Sequence, residues 1–203
     1  MTPRNNMLLS DKDAAGESFV STSLLGLSMV SFDPIPLNTA NALLVEWGHK
    51  MGPCKRGNAV GWSHALIHEG RPVAVTVTAS LIRERVGGAA HLTRENCIEL
   101  ARLCAARPGL CRVALRLWRE FVFPALPYEW AMSYQDADIH NGNTYRFDGW
   151  KRIARARSGT DTRSGRPGRD KWVWVYPNSP NVASDLSRPI STTENHQRPD
   201  GRD

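Results

Sequence analysis

A mixed α/β fold is predicted from three features of the sequence: one hairpin, one amphipathic helix and a second pair of strands. Residues 59–68 and 72–80 alternate like strands on either side of a short glycine-containing turn, which is typical of a β-hairpin. Residues 113–123 place apolar side chains three and four positions apart, which indicates a helix, and a proline follows it. Residues 150–156 and 172–176 are strand-like and flank a basic loop that contains glycine.

The elements before the hairpin are defined by residues that break or cap secondary structure. Residues 19–32 are rich in strand-forming side chains, and we expect Asp33-Pro-Ile-Pro to end that strand. Asn38 is expected to cap a helix that ends at Gly48 or Gly52.

The elements after the hairpin are less clear from periodicity. Residues 95–104 are ambiguous, and their Leu, Glu and Ala content favours a helix in isolation. Residues 130–134 are predicted to form a buried strand. Residues 139–147 are predicted to form a short helix with Asp138 as its cap.

Both ends of the sequence are predicted to lie outside one folded domain that spans residues 19–177. Residues 1–18 are polar and mixed, as expected for a flexible arm, and residues 178–203 have the composition of a disordered tail. Acidic residues interrupt the N-terminal segment, so no signal peptide is predicted. No apolar run approaches the ~18 residues that would span a bilayer. We therefore expect a cytoplasmic protein with no membrane partner.

The cysteines and histidines do not form a recognisable metal motif. The four cysteines, Cys54, Cys97, Cys104 and Cys111, lack CxxC spacing, which favours free thiols over a disulfide or a zinc ribbon. His64 and His68 share one face of a predicted strand with Trp62, but the sequence places no third ligand beside them. No metal is therefore predicted.

The net charge of +6 is concentrated in one segment. Residues 151–171 hold eight Lys or Arg side chains against two Asp side chains, which equals the whole excess. Such a cluster attracts polyanions such as DNA. A solvated basic loop is the alternative on charge alone.

Two stretches carry residue types suited to binding or chemistry. The turn Arg107-Pro-Gly-Leu-Cys-Arg112 leads into a helix, whose first turn has free amides that can bind phosphate oxygens, although an ordinary turn would have the same composition. Residues 133–150 are dense in hydrogen-bonding side chains directly after a buried strand, which favours a site over a polar surface loop.

With these pieces in order, the chain resembles the GNAT superfamily of acyl-CoA N-acyltransferases over residues 19–177. One motif is Glu99-Leu-Ala-Arg-Leu-Cys104, followed by the Arg107-Pro-Gly turn and the next helix. The other is Tyr145-Arg-Phe-Asp-Gly-Trp150, in which a tyrosine precedes a glycine and an aromatic residue. The resemblance implies a mostly antiparallel central sheet flanked by helices and the use of acetyl-CoA or another acyl-CoA.

The resemblance also implies roles for individual residues. Tyr145 would protonate the coenzyme sulfur, and Asp136 or His140 would take the proton of the acceptor amine, with Ser133 in the same catalytic group. The expected cofactor-binding residues are Leu103, Cys104, Arg107, Gly109, Leu110, Cys111 and Arg112. The expected substrate-binding residues are Arg102, Tyr134, Trp62, Arg155 and Arg157. Arg102 has an alternative, which is a salt bridge with Glu99 or Glu120.

Within that superfamily the sequence is similar to phage Mom-type proteins, which modify the exocyclic amine of adenine in DNA. That similarity is carried by Glu99, Arg102, Ser133, Tyr134, Asp136, His140, Gly142 and Tyr145. It implies a DNA-modifying acyltransferase from a phage or mobile element. A GNAT enzyme that acts on a small amine or a protein, and a non-catalytic nucleic-acid-binding module, are the two alternatives.

Overall fold

The computed structural model describes residues 29–56, 62–156 and 168–179. The strands are β1 (Val30–Ile35), β2 (Ser63–His68), β3 (Arg71–Ser80), β4 (Arg85–Val86), β5 (Ala89–Thr93), β6 (Cys97–Ala105), β7 (Trp130–Asp136), β8 (Lys151–Ala156) and β9 (Lys171–Pro177). The helices are α1 (Leu37–Glu46), α2 (Leu110–Leu117) and α3 (Asn143–Arg146).

Seven of the strands form one twisted sheet in the order β1-β2-β3-β6-β7-β9-β8, and β4 pairs separately with β5. Within the seven-stranded sheet only β6 and β7 are parallel. The mixed α/β fold with a mostly antiparallel sheet is therefore confirmed. Helices cover both faces of the sheet. One apolar cluster packs α1 against one face, and two others pack α2 and α3 against the opposite face.

Strand β6 differs from the helix that its local composition favours. Its residues pair with β3 along the whole strand and with β7 at its start. Cys97, Ile98 and Leu100 are almost completely buried between these neighbours. Tertiary burial outweighs the modest helix preference of Leu, Glu and Ala.

Three predicted boundaries were wrong. Asp33-Pro-Ile-Pro does not end the first strand, because Pro34 lies on β1, the outermost strand of the sheet, where a missing N–H disrupts no inner ladder. Asp138 does not cap α3, which starts five residues later at Asn143 with Gly142 as its cap; the Asp138 N–H instead donates to Asp136 Oδ1 at 3.1 Å. Asn38 was predicted to cap α1 but lies inside that helix. Pro36 occupies the N-cap position instead.

The predicted helix over residues 113–123 begins three residues earlier and changes its winding at Trp118. Residues Trp118–Val122 form a π-helical turn, and Phe123–Ala125 form a 3₁₀ turn that includes Pro124. The wider π turn places side chains five positions apart over one another. Trp118 and Phe123 stack accordingly, with ring centroids 5.4 Å apart. The Trp118 indole N–H also donates to Thr78 Oγ1 at 2.8 Å, which fixes this segment against β3.

The predicted arm at residues 1–18 and nearly all of the predicted tail lie outside the described residues. Asn178, at the start of that predicted tail, bonds the backbone carbonyls of Tyr128 and Glu129. Within the described part of the chain, no helix is both long and apolar enough to cross a membrane.

Candidate active site

The candidate site is a fork between the two parallel strands. β6 and β7 pair only through Cys97–Glu99 and Trp130–Met132, although both strands continue for several residues. The register with β3 shifts so that Ala101 is an extra residue in β6, which is a bulge at the start of the fork. The opening is a cavity of about 600 Å³, lined by the diverging strand ends, the segment after α1 and the residues before α3.

Ser133 and Tyr145 join the fork through a chain of hydroxyl groups. Ser133 Oγ lies 2.9 Å from the Leu100 carbonyl and 2.8 Å from the Tyr145 hydroxyl. A carbonyl can only accept, so the single serine proton goes to Leu100 and the tyrosine must donate to Ser133. These two linked hydrogen bonds therefore orient the phenol hydroxyl in the cavity. They also connect β7 to β6 at the point where the strands separate.

Tyr145 is held in place by aromatic rings. Its ring stacks on Trp174 at 5.6 Å between centroids and meets Trp150 edge-on at 5.4 Å. Burial raises the pKa of Tyr145 to about 12, with the Ser133 hydrogen bond acting in the opposite direction. Tyr145 is therefore neutral at physiological pH and can act as a proton donor.

Gly142 permits this packing. Its φ is +78°, and a Cβ built on it would lie 2.5 Å from a ring carbon of Trp174 and 2.7 Å from Gln135 Oε1. Gln135 is itself buried and accepts the Trp174 indole N–H at 2.8 Å. Its amide also donates to the carbonyls of Asp136 and His140, so one glutamine organises the loop that leads into α3.

Asp136 and His140, the predicted bases, both line the cavity but differ in their surroundings. Asp136 forms an ion pair with Arg169 at 3.1 Å. His140 is exposed to solvent at the mouth. Tyr134, predicted to bind substrate, is 37% exposed at the same mouth, with Lys171 Nζ 5.8 Å from its ring centroid.

His49 is a site residue that the sequence analysis missed. It follows α1 and lines the cavity, and its Nδ1 atom is buried without a hydrogen-bond partner among the described residues. Burial, then the charge of Arg102 and then His140, lower the pKa of His49 to about 4. The imidazole is therefore neutral at pH 7 and can accept a proton. Gly48 and Gly52 lie on either side of His49, and the sequence indicated them only as possible ends of the helix.

Arg102 forms a salt bridge with neither Glu99 nor Glu120. Its guanidinium donates to the carbonyls of Gly52, at 3.0 Å, and Ala101, at 2.7 Å, so it holds the segment containing His49 against the bulge of β6. Glu99 pairs instead with Arg56 through two hydrogen bonds of 2.6 and 3.0 Å. The alternative reading of Arg102, a salt bridge with Glu99 or Glu120, is therefore not found in the structure, and Glu120 pairs with Arg116 and Arg119.

The predicted phosphate turn connects the end of β6 to α2. Gly109 caps the helix with φ +87°, and open space surrounds the position that its Cβ would occupy. Leu103, Cys104 and Cys111 line the cavity beside this turn. Burial raises the pKa of both thiols, to about 11 for Cys111, so they are protonated at neutral pH. All four cysteines are free thiols, as predicted.

The remaining predicted residues lie outside the cavity lining. Arg107, Gly109 and Leu110 form the turn itself, and Arg112 projects from the first turn of α2 towards Phe147. Trp62 packs edge-on against Tyr128 at 6.4 Å and does not line the cavity. Arg155 lies on β8, where it pairs with Asp170 at 2.8 Å and stands over Trp172. Arg157 lies outside the described residues.

Within the described part of the chain, His64 and His68 belong to no group of side chains that could hold a metal ion. The His64 ring stacks on Phe32 at 5.5 Å, and burial lowers its pKa. Among residues 29–56, 62–156 and 168–179, no group of three or more His, Cys, Asp or Glu side chains is placed to hold a metal ion.

Positive charge dominates the cavity. Its lining includes five cationic side chains, Lys50, Arg56, Arg102, Arg169 and Lys171, against two carboxylates, Glu99 and Asp136. Both carboxylates are already paired with arginine. Three cationic side chains therefore remain without carboxylate compensation within the lining, which makes the cavity attractive to anions and unfavourable for cations.

Solved structures share this architecture. The ribosomal-protein-S18-alanine N-acetyltransferase of Escherichia coli superposes with a TM-score of 0.53 at 15% identity, over 74% of this chain and 95% of that one. Arabidopsis thaliana NAA60 in complex with acetyl-CoA gives 0.53 at 12% identity, over 73% and 99%. A probable GNAT-family acetyltransferase from Chromobacterium violaceum gives 0.50 at 14% identity, over 73% and 87%. The chain has the GNAT fold. No protein-family model matches the sequence, and no curated protein matches it significantly.

The GNAT fold explains why the predicted motifs meet in space. The Glu99–Cys104 motif forms the inner strand of the fork, and the Tyr145 motif supplies the hydroxyl that reaches Ser133. Sequence identities of 15% or less support a shared fold only, so the chemistry has to be argued from the residues of the site.

Proposed function

We propose that this protein is an acyl-CoA-dependent N-acyltransferase. The observation that carries the proposal is the position of Tyr145, a neutral phenol fixed by Ser133 inside the fork of a GNAT-fold sheet. A phenol with its proton retained at neutral pH is suited to general-acid catalysis. The resemblance of the two sequence motifs supports the same role.

The residues around the fork fit an acyl-CoA. The first turn of α2 offers backbone amides and the positive end of the helix to phosphate oxygens, and Gly109 leaves its approach open. Leu103, Cys104 and Cys111 would border the pantetheine arm as small or apolar neighbours. When bound, acyl-CoA would supply an acyl group activated as a thioester.

The side chains of the protein then have separable tasks. Tyr145 holds a proton at its phenol oxygen for the leaving thiolate, and Ser133 orients that hydroxyl. His49, neutral and with an unpartnered Nδ1 atom, accepts a proton released by the acceptor nitrogen, and His140 relays it to solvent at the mouth. Arg102 keeps His49 in position through the Gly52 carbonyl.

We propose further that the acceptor is an amine that carries no positive charge at neutral pH, within a polyanion. An alkylammonium group, with a pKa of about 10, would be repelled by the cationic lining, and an imidazole of pKa about 4 is too weak to deprotonate it effectively. The exocyclic amine of a nucleobase is already uncharged, and in DNA the base belongs to a polymer whose backbone carries phosphates. These properties favour the adenine amine of DNA, as the similarity to Mom-type proteins implies.

A protein or small-molecule amine is the competing acceptor. The Escherichia coli neighbour is described as acting on an alanine of ribosomal protein S18, which shows that proteins of this fold can use a protein acceptor. The cationic lining of the present cavity is the feature that argues against a positively charged N-terminus or lysine here.

The first experiment measures the thermal unfolding midpoint with saturating acetyl-CoA, CoA or NAD. A ligand at 100 times its dissociation constant stabilises the folded state by about 2.7 kcal/mol, which shifts the midpoint visibly. We expect a shift with acetyl-CoA and CoA but not with NAD. No shift with either CoA species would overturn the proposed activity and favour the non-catalytic nucleic-acid-binding alternative.

The second experiment separates the acceptors. Purified protein is incubated with radiolabelled acetyl-CoA and either an adenine-containing oligonucleotide or a peptide with a free N-terminus and lysine. Label on the oligonucleotide supports the nucleobase acceptor, and label on the peptide alone contradicts it. Lys171→Gln should weaken oligonucleotide binding and its salt dependence. The matched control is Arg71→Gln, an exposed cation on the β2–β3 hairpin.

A further inference from the structure

An exposed aromatic ring and an exposed aliphatic side chain line the mouth of the cavity. Tyr134, near the end of β7, is 37% exposed, and Ile82, between β3 and β4, is 66% exposed. The backbone at Ile82 is fixed, because Arg94 donates to the carbonyls of Leu81 at 3.2 Å and of Ile82 at 2.9 Å. Leu81 itself is buried in an apolar cluster. Apolar side chains held at a polar rim are typical of a ligand-binding groove.

Cationic side chains surround the Tyr134 ring. Lys171 Nζ lies 5.8 Å from the ring centroid. Burial and then the charge of Glu99 raise the pKa of Tyr134. The charges of Arg83 and Arg56 lower it, which places both guanidiniums within electrostatic reach of the phenol. The ring is therefore flanked by positive charge from β9, from the segment after β3 and from the segment after α1.

Two of these cations are not neutralised by a carboxylate. Arg56 is paired with Glu99, but Arg83 and Lys171 form no salt bridge in the part of the chain that the structure describes. Glu84, which follows Arg83 in the sequence, pairs with Arg94 instead, at 3.7 Å. Arg83 is also exposed. Both cations are therefore available to anionic groups of a ligand whose ring lies on Tyr134.

A nucleobase with a phosphate on either side matches this arrangement. An aromatic side chain can stack any base, and neighbouring cations bind the phosphates of the backbone. Ser133 and Tyr134 are consecutive on β7, so their side chains point to opposite faces of the sheet. A base on Tyr134 would therefore reach the fork from the face opposite Tyr145. Such a base has to leave the helical stack first, because a stacked and paired base cannot enter a cavity.

We infer that the mouth of the cavity is a subsite for one nucleobase of DNA held outside the helical stack. The Tyr134 ring is its stacking surface, and Ile82 is its apolar rim. Arg83 and Lys171 bind the flanking phosphates. The inference rests on the proposed function, because it specifies how the proposed acceptor is presented to the same cavity. It adds the requirement that the base leaves the stack before it is modified.

The test measures binding of labelled DNA duplexes to the full chain by fluorescence anisotropy, without acyl-CoA. One duplex carries a single unpaired adenine, the second has an abasic site in place of that adenine, and the third is fully paired. Wild type is expected to bind the unpaired adenine about 5- to 150-fold more tightly than the abasic site, the range for stacking one base on an aromatic ring. It should also prefer the unpaired adenine to the paired duplex, since extruding a paired base costs free energy.

Variants of Tyr134 test the stacking surface. Tyr134→Ala should lose the preference for the unpaired adenine over the abasic site and keep wild-type affinity for the abasic duplex, which also shows that the variant is folded. Tyr134→Phe retains the ring and should retain the preference. The control is Phe121→Ala, which removes a phenylalanine that is 68% exposed on the π-helical turn, and it should behave like wild type.

A variant of Arg83 tests the phosphate contact separately from the base. Arg83→Gln should weaken binding of all three duplexes alike and reduce the slope of log affinity against log salt concentration by about 1. Arg71→Gln, which removes an exposed arginine of the β2–β3 hairpin, should leave both quantities unchanged. An unchanged slope in Arg83→Gln would contradict the phosphate contact.

The outcomes separate this inference from the proposed activity. Equal wild-type affinity for the unpaired adenine and the abasic site overturns the inference, and so does a preference that survives in Tyr134→Ala. Tighter binding of the paired duplex than of the unpaired adenine also overturns it. Acyl transfer to a peptide without any to DNA overturns the inference while the acyltransferase activity stands. A preference that depends on Tyr134, in a protein that transfers no acyl group, supports the subsite and contradicts the proposed activity.

Discussion

The Tyr145 hydroxyl donates a hydrogen bond to Ser133 Oγ across 2.8 Å, and the Ser133 hydroxyl donates a hydrogen bond to the Leu100 carbonyl on the opposite strand of the fork. This one contact links the general-acid candidate to the place where β6 and β7 part. Removing either hydroxyl should therefore lower the rate of the chemical step and leave ligand affinity nearly unchanged.

Tyr145→Phe should lower kcat by about 10²- to 10⁴-fold, the usual contribution of a general acid, with acetyl-CoA affinity nearly unchanged. The ring remains stacked on Trp174, so the fold should persist. Turnover is followed by release of free CoA thiol, and affinity by calorimetry. Tyr128→Phe, outside the cavity, is the control. Turnover equal to wild type in Tyr145→Phe would remove this residue from the mechanism.

His49 should make the protein sensitive to mild acid. The pKa of His49 falls from an ordinary 6.5 to about 4 in the folded state, so between these values the unfolded chain binds the extra proton. Stability is therefore lost as pH falls from about 6.5 towards 4. In His49→Gln the unfolding midpoint should decline less over that interval, whereas the surface control His91→Gln should follow wild type. Parallel curves for all three proteins would contradict the buried neutral state of His49.

Gly142→Ala should destabilise the protein and misplace Tyr145. The new methyl group would overlap Trp174 and Gln135, and the residue would keep a positive φ, so we expect a loss of about 3 kcal/mol or more in unfolding free energy. Gly70→Ala is the matched control, because its φ of +72° imposes the same backbone strain in open space. Urea denaturation measures both. Equal losses in the two variants would mean that the close packing at Gly142 has no energetic effect.

The sequence predicted the elements of the sheet better than the contacts that make the site. Ser133 and Tyr145 were both expected in the site from their motifs, but their hydrogen bond depends on how α3 packs on β7. β6 was ambiguous because its burial between β3 and β7 is a long-range property that local composition does not contain. His49 carried no signal beyond its place near a helix end, since its low pKa arises first from burial and then from the charge of Arg102, which is distant in the chain. Arg102 was predicted to bind substrate, with a carboxylate partner as the alternative, yet its guanidinium donates to two backbone carbonyls.

The ion pair between Arg56 and Glu99 should be the most costly side-chain pair to break in this cavity. The Glu99 side chain is 5% exposed and that of Arg56 is 19% exposed, so removing one partner leaves a buried charge without compensation. Arg56→Met should therefore reduce the unfolding free energy by about 3–5 kcal/mol. Because the pair itself costs desolvation, the double variant Arg56→Met/Glu99→Leu should recover most of that loss. Urea denaturation of the single, double and wild-type proteins gives the comparison. A double variant as unstable as Arg56→Met would show that the two side chains stabilise the fold through packing rather than through their charges.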